Sequence, residues 1–303
     1  MTTVLDIVKN NQLVPDETWK KFISSLATSF DKLETNNHRA HHRLTSVLIE
    51  AVQKRLGQKM GIFFSGGVDS STLSLITKKL GIAPLCYSVG LEGSDDLAWA
   101  QKIAAEYQFI LKHRSLSLDE LESVLKKVIE VTKSADMVTV SVGCVTYCAA
   151  QLAKEDGCNA VMSGLGSEEL FAGYDRHLKV LDLGYETVHT ECICGLQHMR
   201  QRDLVRDFSI TQHFHQDLLM PFLDRELIKT ALGFHPMLKL DKTGNKLILR
   251  EVGQHLGLHR EFAYRKKQAA QYGSSVVWGI EKLAKRNGFS LKREYLQSLF
   301  KGS

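Results

Sequence analysis

Residues 65 to 71 read Ser65-Gly66-Gly67-Val68-Asp69-Ser70-Ser71, after the apolar run Met60-Gly61-Ile62-Phe63-Phe64 and before Thr72-Leu73-Ser74-Leu75-Ile76. An apolar strand, a loop of small residues with one acid and an amphipathic helix make a turn suited to phosphate. Two adjacent glycines let the backbone come close to an anion. The hydroxyls of Ser65, Ser70 and Ser71, with the free N–H groups of a helix start, can then hold it. Asp69 alone repels phosphate, so its presence points to a Mg²⁺ between acid and phosphates. The Walker pattern G-x-x-x-x-G-K-S/T occurs nowhere in the chain. The plainer alternative is a glycine turn in an ordinary α/β protein.

Two further segments have the same grammar. Ser88-Val89-Gly90-Leu91-Glu92-Gly93-Ser94-Asp95-Asp96 leaves an apolar run, with Asp95 or Asp96 placed to cap the next helix. Ser163-Gly164-Leu165-Gly166-Ser167-Glu168-Glu169 ends another, with two carboxylates at the head of a helix. Acids there suit the helix dipole; they could equally hold a Mg²⁺ facing Asp69.

The elements that position these loops follow from periodicity. A helix is predicted over 43–56, with Leu44, Val47, Leu48, Ala51 and Val52 on one stripe. Strands are predicted at 60–64, 83–89, 109–113 and 160–163, and helices at 70–80, 96–107, 118–132 and 142–154. Such alternation argues for an α/β fold, a parallel sheet with helices on both faces. Ligands then bind beyond the carboxyl ends of the strands. Strand signals fade from about residue 176. The expected organisation is an N-terminal helical segment (1–58), a nucleotide-binding α/β core (59–175) and a mainly helical C-terminal lobe (176–303).

Composition sets outer bounds. With 303 residues the chain can bury a full core, and only 4 prolines and no linker-like tract divide it. The net charge of +5 permits an acidic partner without implying one. The start lacks the pattern of a signal peptide, and no apolar stretch approaches the length of a membrane span. A cytoplasmic protein with no membrane partner is expected, its 6 cysteines reduced. Cys144 with Cys148 and Cys192 with Cys194 lack the C-x-x-C spacing of zinc ribbons, which favours core or incidental cysteines. No site is placed on His38, His41 and His42, or on His213 and His215.

The order S-G-G-x-D-S resembles the PP-loop of ATP pyrophosphatases, which cleave ATP between the α and β phosphates. Residues 60 to about 275 resemble the synthetase domain of glutamine-dependent asparagine synthetases. Besides the PP-loop, the likeness rests on Tyr87 to Asp96 and on the segment from Ser163 to Tyr174. It continues through Met220-Pro221-Phe222-Leu223-Asp224, Lys246-Leu247-Ile248-Leu249-Arg250-Glu251 and Arg265-Lys266-Lys267-Gln268. The tail with Gln271-Tyr272-Gly273-Ser274 is similar to the branch called asparagine synthetase domain-containing proteins.

The resemblance implies a fold like that of adenine nucleotide alpha hydrolases and an AMP-forming activation with ATP and Mg²⁺ as cofactors. The β and γ phosphates would sit on Ser65, Gly66, Gly67, Asp69, Ser70 and Ser71. Adenine would lie near Phe64 and Val89, and the ribose near Ser163 and Gly164. Asp69 and Glu168 match the family's two metal-binding acids, the second of which is usually Asp. Lys246 matches a pyrophosphate-binding lysine, and Lys267 a lysine near the acyl-adenylate; both are the expected catalytic residues.

Three departures redirect the reading. A glutaminase domain with an amino-terminal cysteine is expected to be absent, since 64 residues precede Ser65 and Thr2 follows Met1. Leu165 stands where the family's amide-forming members carry a glutamate, and leucine cannot accept a proton. Ser141 stands where the family has an arginine suited to a substrate carboxylate. The expectation is an AMP-forming, ATP-dependent ligase acting on an unidentified carboxylate, or a similar oxygen acceptor, other than aspartate. Its nitrogen would come from ammonia, an amine or a donor protein rather than glutamine. The alternatives are a tRNA-modifying PP-loop enzyme, permitted by the basic run Arg265-Lys266-Lys267 but not favoured, and a non-catalytic nucleotide-binding protein.

Overall fold

The computed structural model describes residues 7–9, 12–57, 59–266 and 268–301. It opens with a two-strand antiparallel pair, β1 (Val8–Lys9) and β2 (Gln12–Leu13), followed by α1 (Asp16–Ala27) and α2 (Asn37–Gln53). The alternating stretch comprises β3 (Met60–Phe63), α3 (Val68–Lys79), β4 (Leu85–Leu91), α4 (Asp95–Tyr107) and β5 (Ile110–Leu116). It continues with α5 (Leu118–Thr132), α6 (Met137–Glu155), β6 (Ala160–Met162) and α7 (Ser167–Leu170). Then come α8 (Asp175–Leu181), α9 (Tyr185–Met199), a π-helical turn at Arg200–Leu204, α10 (Val205–His213) and β7 (Asp217–Leu219). The remainder is α11 (Arg225–Leu232), α12 (Leu247–His255), α13 (Arg260–Ala263), α14 (Ala270–Gly273), α15 (Val276–Arg286) and α16 (Lys292–Lys301).

The sheet runs β5-β4-β3-β6-β7 with every pairing parallel. Central strands are buried on both faces, as crossover helices require; Ile62, Cys86, Tyr87, Val161 and Met162 are all core residues. The edge strand β5 carries Lys112, His113 and Arg114, charges that discourage pairing with another chain. The chain winds from β3 out to β5 on one side and returns to β6 and β7 on the other. The order therefore reverses at β3, a switch point whose crevice opens beyond the carboxyl ends of β3 and β6.

Helix starts are set by local chemistry. Asn36 accepts the Arg39 N–H at 2.9 Å, and Asp136 accepts the Thr139 N–H at 2.9 Å. Ser117 and Glu120 form a reciprocal capping box at α5.

The elements predicted from periodicity are present, with shifted ends. Helix α6 begins at Met137 rather than residue 142 because Asp136 caps it. Helix α3 begins at Val68 rather than residue 70, after Gly67 in extended conformation, so Asp69 and Ser70 lie in its first turn. Ser94, not Asp95 or Asp96, stands at the N-cap position of α4, without a side-chain capping bond, and the two acids are the helix's first residues. The region after residue 176 is helical apart from β7, which completes the sheet. At 19 residues and mean hydropathy 1.2, α6 does reach the length and apolarity of a membrane span, contrary to the sequence expectation. It is a core helix packed against β3, β4, α5 and α10. One apolar core runs through all parts of the chain, from Ile7 to Leu296.

Candidate active site

The crevice at the switch point is built from three segments that are far apart in the chain. Asp69 stands in the first turn of α3, after β3, and Glu168 in the first turn of α7, after β6. Lys246 joins them from 177 residues beyond Asp69. Its ammonium donates to both Asp69 oxygens at 2.8 and 2.7 Å, reaches Glu168 Oε1 at 2.8 Å and donates to Ser167 Oγ at 3.2 Å. Burial alone would lower the Lys246 pKa, but Asp69 and Glu168 outweigh it and hold the ammonium above its usual 10.5. Lys246 occupies the left-handed region at φ 54°, directly before α12. Asn245 fixes this turn by donating from Nδ2 to the Gly173 carbonyl at 2.6 Å. Gly173 itself has no room for a side chain: a Cβ there would overlap Glu168 Oε2 and Lys246 Cε.

The residues predicted to hold phosphate border the same crevice. Gly66 has φ 66°, and a Cβ there would meet the backbone of Trp99 and Ala100 at 3.0 Å. Gly164 presses against Asp69 Cβ, with 3.1 Å left for a methyl group. Ser71 Oγ is buried without a hydrogen-bond partner among the described residues. Ser65 Oγ accepts the Gly67 N–H at 3.4 Å, and Ser70 Oγ donates to the Gly67 carbonyl at 3.3 Å. Phe64 is buried behind the loop, its N–H donating to the Tyr87 carbonyl at 2.8 Å; Val89 is buried in β4. Ser163 continues β6, its N–H bonded to the Leu219 carbonyl at 2.8 Å. Lys267 lies outside the described residues.

Mg²⁺ and a nucleotide fit this donor set. Two carboxylates already converge on one cation, and both are the hard oxygen ligands that Mg²⁺ takes alongside phosphate and water. Among the described residues no cluster of three or more His, Cys, Asp or Glu could hold a metal by itself. Asp69 and Glu168 would carry the ion together with the nucleotide.

Sequence reasoning missed a strap, in which Arg265 and Gly273-Ser274 are tied to the Ser65 loop, the head of α4 and the end of β4. Arg265 is buried, donating from Nη2 to Asp96 Oδ1 at 2.8 Å and from Nη1 to the Ser65 carbonyl at 2.9 Å, with its guanidinium over Trp99. Beyond Lys267 the strap is pinned again. Asp96 leaves only 2.5 Å for a Cβ on Gly273, and the Leu91 N–H donates to the Ser274 carbonyl at 2.8 Å. The only advance signal was an unexplained acid at the head of α4 and an arginine in a basic run. The first member of that run is spent on Asp96, whereas Lys266 is exposed.

Leu165 is half-buried and packs against the core, with no acid in its place. Ser141 Oγ donates to the Met137 carbonyl at 2.6 Å within its own helix. The cysteines are free thiols, all buried except Cys194. Glu169, beside Glu168, turns away to Arg202 at 2.8 Å and accepts from Tyr174 Oη at 3.0 Å. Burial first, then Asp203, push its carboxyl up to about 7, with Arg202 opposing. A separate cleft of about 530 Å³ between α2 and α11 is lined by exposed Lys32, Arg43 and Lys229 and lies apart from this chemistry.

Residues 43–184 and 179–298 match the family model described as asparagine synthase. The chain belongs to the asparagine synthase family. It is 33% identical over 313 aligned positions to a protein of Methanocaldococcus jannaschii named asparagine synthetase (glutamine-hydrolyzing) 1, an alignment covering 89% of this chain and 58% of that one. It is 27% identical to asparagine synthetase B (glutamine-hydrolyzing) of Escherichia coli, over 78% of this chain and 46% of that one. The chain thus spans about half the length of the curated relatives it matches. A crystal structure titled as the predicted subunit of tRNA methyltransferase from Methanocaldococcus jannaschii overlaps 69% of this chain and 93% of that one, at 17% identity and a TM-score of 0.30. The family membership agrees with the resemblance carried by the loops, and with ATP as the nucleotide for which an asparagine synthase crevice is built.

Proposed function

We propose that this chain activates a carboxylate substrate with ATP, forming an acyl-adenylate and pyrophosphate for attack by ammonia or an amine. The observation that supports this reading is the convergence of Asp69, Glu168 and Lys246 at the sheet's switch point. In the proposed step a substrate carboxylate oxygen attacks the α phosphorus. The bond from that phosphorus to the bridging oxygen breaks, and pyrophosphate leaves with its electron pair. Mg²⁺, when bound, supplies positive charge against the growing charge on the leaving group. Ser65, Gly66, Gly67, Ser70 and Ser71 hold the β and γ phosphates, while Phe64, Val89, Ser163 and Gly164 border the nucleoside. Lys246 offers its ammonium to the departing pyrophosphate, and Lys267 is assigned to the adenylate. Leu165 and Ser141 leave neither a base nor a guanidinium where aspartate would need them, so the acceptor is a carboxylate other than aspartate.

Exchange of labelled pyrophosphate into ATP, run against a carboxylate panel with calorimetric ATP·Mg²⁺ binding alongside, tests the proposal. The expected result is binding, with exchange that depends on one carboxylate class. Binding without exchange would make the chain a non-catalytic nucleotide protein, and no binding would remove the nucleotide reading altogether. Gly173→Ala, whose methyl group displaces Glu168 and Lys246, is expected to weaken ATP·Mg²⁺ at least about tenfold, the worth of one charged contact.

A further inference from the structure

The glycines after β3 make the loop soft as well as close-fitting. Gly66 sits at φ 66°, and glycine accepts either sign of φ, so the Ser65–Gly66 peptide is free to turn over by half a rotation. The two settings differ in chemistry. The peptide is trans, so its carbonyl and its N–H point in opposite directions. One setting meets an anion with a donor. The other meets it with the Ser65 carbonyl, an acceptor that repels phosphate.

Arg265, 200 residues beyond Ser65, holds the loop in one of these settings. Its Nη1 donates to the Ser65 carbonyl at 2.9 Å. The guanidinium is fixed on two further sides, by Nη2 to Asp96 Oδ1 at 2.8 Å and by the Trp99 ring, whose centroid lies 5.2 Å away. The side chain is buried, and its Nε has no hydrogen-bond partner among the described residues. Its orientation is therefore set by the two bonds that the planar fork does make. Trp99 also closes the space behind Gly66, where a Cβ would stand 3.0 Å from its backbone carbonyl carbon. The loop is thus backed on one side by α4 and Arg265, and the Ser65 carbonyl points to that side. The Gly66 N–H points the other way and makes no hydrogen bond among the described residues. Ser65 Oγ accepts from Gly67 instead, at 3.4 Å. A backbone donor held out and unpaired is what a phosphate oxygen requires.

Given the nucleotide reading of the crevice, on which this depends, we propose that Arg265 is a positioning residue: it holds the Ser65 carbonyl so that the Gly66 N–H faces the pyrophosphate half of ATP. The guanidinium acts through the backbone of the loop and makes no contact of its own with phosphate. The Asp96–Arg265 pair then has two separable effects, the hold on the strap and the setting of one peptide.

Crystals of the full chain soaked with α,β-methylene ATP and Mg²⁺ give the direct test. The expected result is a β or γ phosphate oxygen within hydrogen-bond reach of the Gly66 nitrogen, with the bond from Arg265 to the Ser65 carbonyl kept. A bound analogue whose phosphates leave that N–H unengaged overturns the positioning role and leaves the nucleotide reading standing. No analogue bound, in crystals or by calorimetry, overturns both. Calorimetry with the same analogue separates the two effects of the pair. Arg265→Met is expected to weaken binding about tenfold, the worth of one hydrogen bond to a charged group. Asp96→Asn removes the charge that anchors the strap but leaves Arg265 able to donate to Ser65, so its affinity should stay close to the parent's. Equal losses in the two variants would mean that the pair only holds the strap, and the positioning role would fall. Should either variant fail to fold, the analogue's place on the unaltered chain still decides.

Discussion

At the scale of single residues, Lys246 sets the electrostatics of the crevice. Its ammonium lies between two carboxylates and is itself buried, so removing it leaves like charges facing each other out of water. Lys246→Met is expected to cost about 3 kcal/mol at pH 8 in urea unfolding without Mg²⁺, the usual loss when one partner of a buried pair is deleted. The sign with pH is fixed. The folded-state pKa is raised above 10.5, so the contribution is complete below 10.5 and lost as pH rises through the folded value. The gap between the two proteins should therefore narrow only as pH rises beyond 10.5 in the same experiment. His177 shows the opposite sign. Burial first, then Arg176, Lys239 and Lys246, depress its pKa from 6.5 to about 3. Its neutral form contributes stability above pH 6.5 that is lost progressively as pH falls toward 3. His177→Gln keeps an acceptor for the Tyr174 N–H and removes the titration. Its stability should fall less steeply than the parent's between pH 6.5 and 4, by a difference of order 3 kcal/mol across that range. Parallel pH curves would refute this.

Between elements, the strap from Arg265 to Ser274 is held by one buried ion pair and two close backbone approaches. Asp96→Asn and Arg265→Met should each cost about 3–5 kcal/mol, because either change strands a buried partner. The paired variant Asp96→Leu with Arg265→Met should cost less than the two single losses combined, a coupling that a double-mutant cycle in urea measures directly. Additive losses would mean that the pair does not act as a unit. This pair also marks the limit of what the sequence makes legible. Alternating periodicity revealed the elements around β3, β4, β5 and β6, because long apolar strands and amphipathic helices repeat on their own length scale. Three consecutive residues, Asp217-Leu218-Leu219, are too few to show any period, so β7 was invisible. Helix ends moved where a single residue decided them, as Gly67 did for α3 and Asp136 for α6. Asp69, Glu168 and Lys246 were readable as family positions, but not the direct contact of all three. The Asp96–Arg265 pair, 169 residues apart, had no local signal at all.

Across the whole molecule, the crevice exists only where distant parts of the chain share a core. The N-terminal helices are bound into it. Trp19 of α1 donates from Nε1 to the Leu196 carbonyl at 2.7 Å, and Arg55, just beyond α2, reaches Asp224 at 3.1 Å in a buried pair. Asp224 in turn caps α11 through the Glu226 N–H. Parts of a chain unfold separately when their cores are separate, and here the apolar cluster is continuous. Trp19 is buried in the N-terminal segment, while Trp99 lies in α4 and Trp278 in α15, so in a Trp99→Phe, Trp278→Phe background fluorescence reports on the N-terminal segment and far-UV circular dichroism on the whole fold. Both should give one shared urea midpoint, which is the signature of a single cooperative unit. Arg55→Met, by leaving Asp224 buried without its guanidinium, should move both midpoints down together by an equivalent of about 3 kcal/mol. If fluorescence instead shifted ahead of the dichroism, the N-terminal helices would be a separable layer. The crevice between β3 and β6 would then owe its geometry to the α/β core alone.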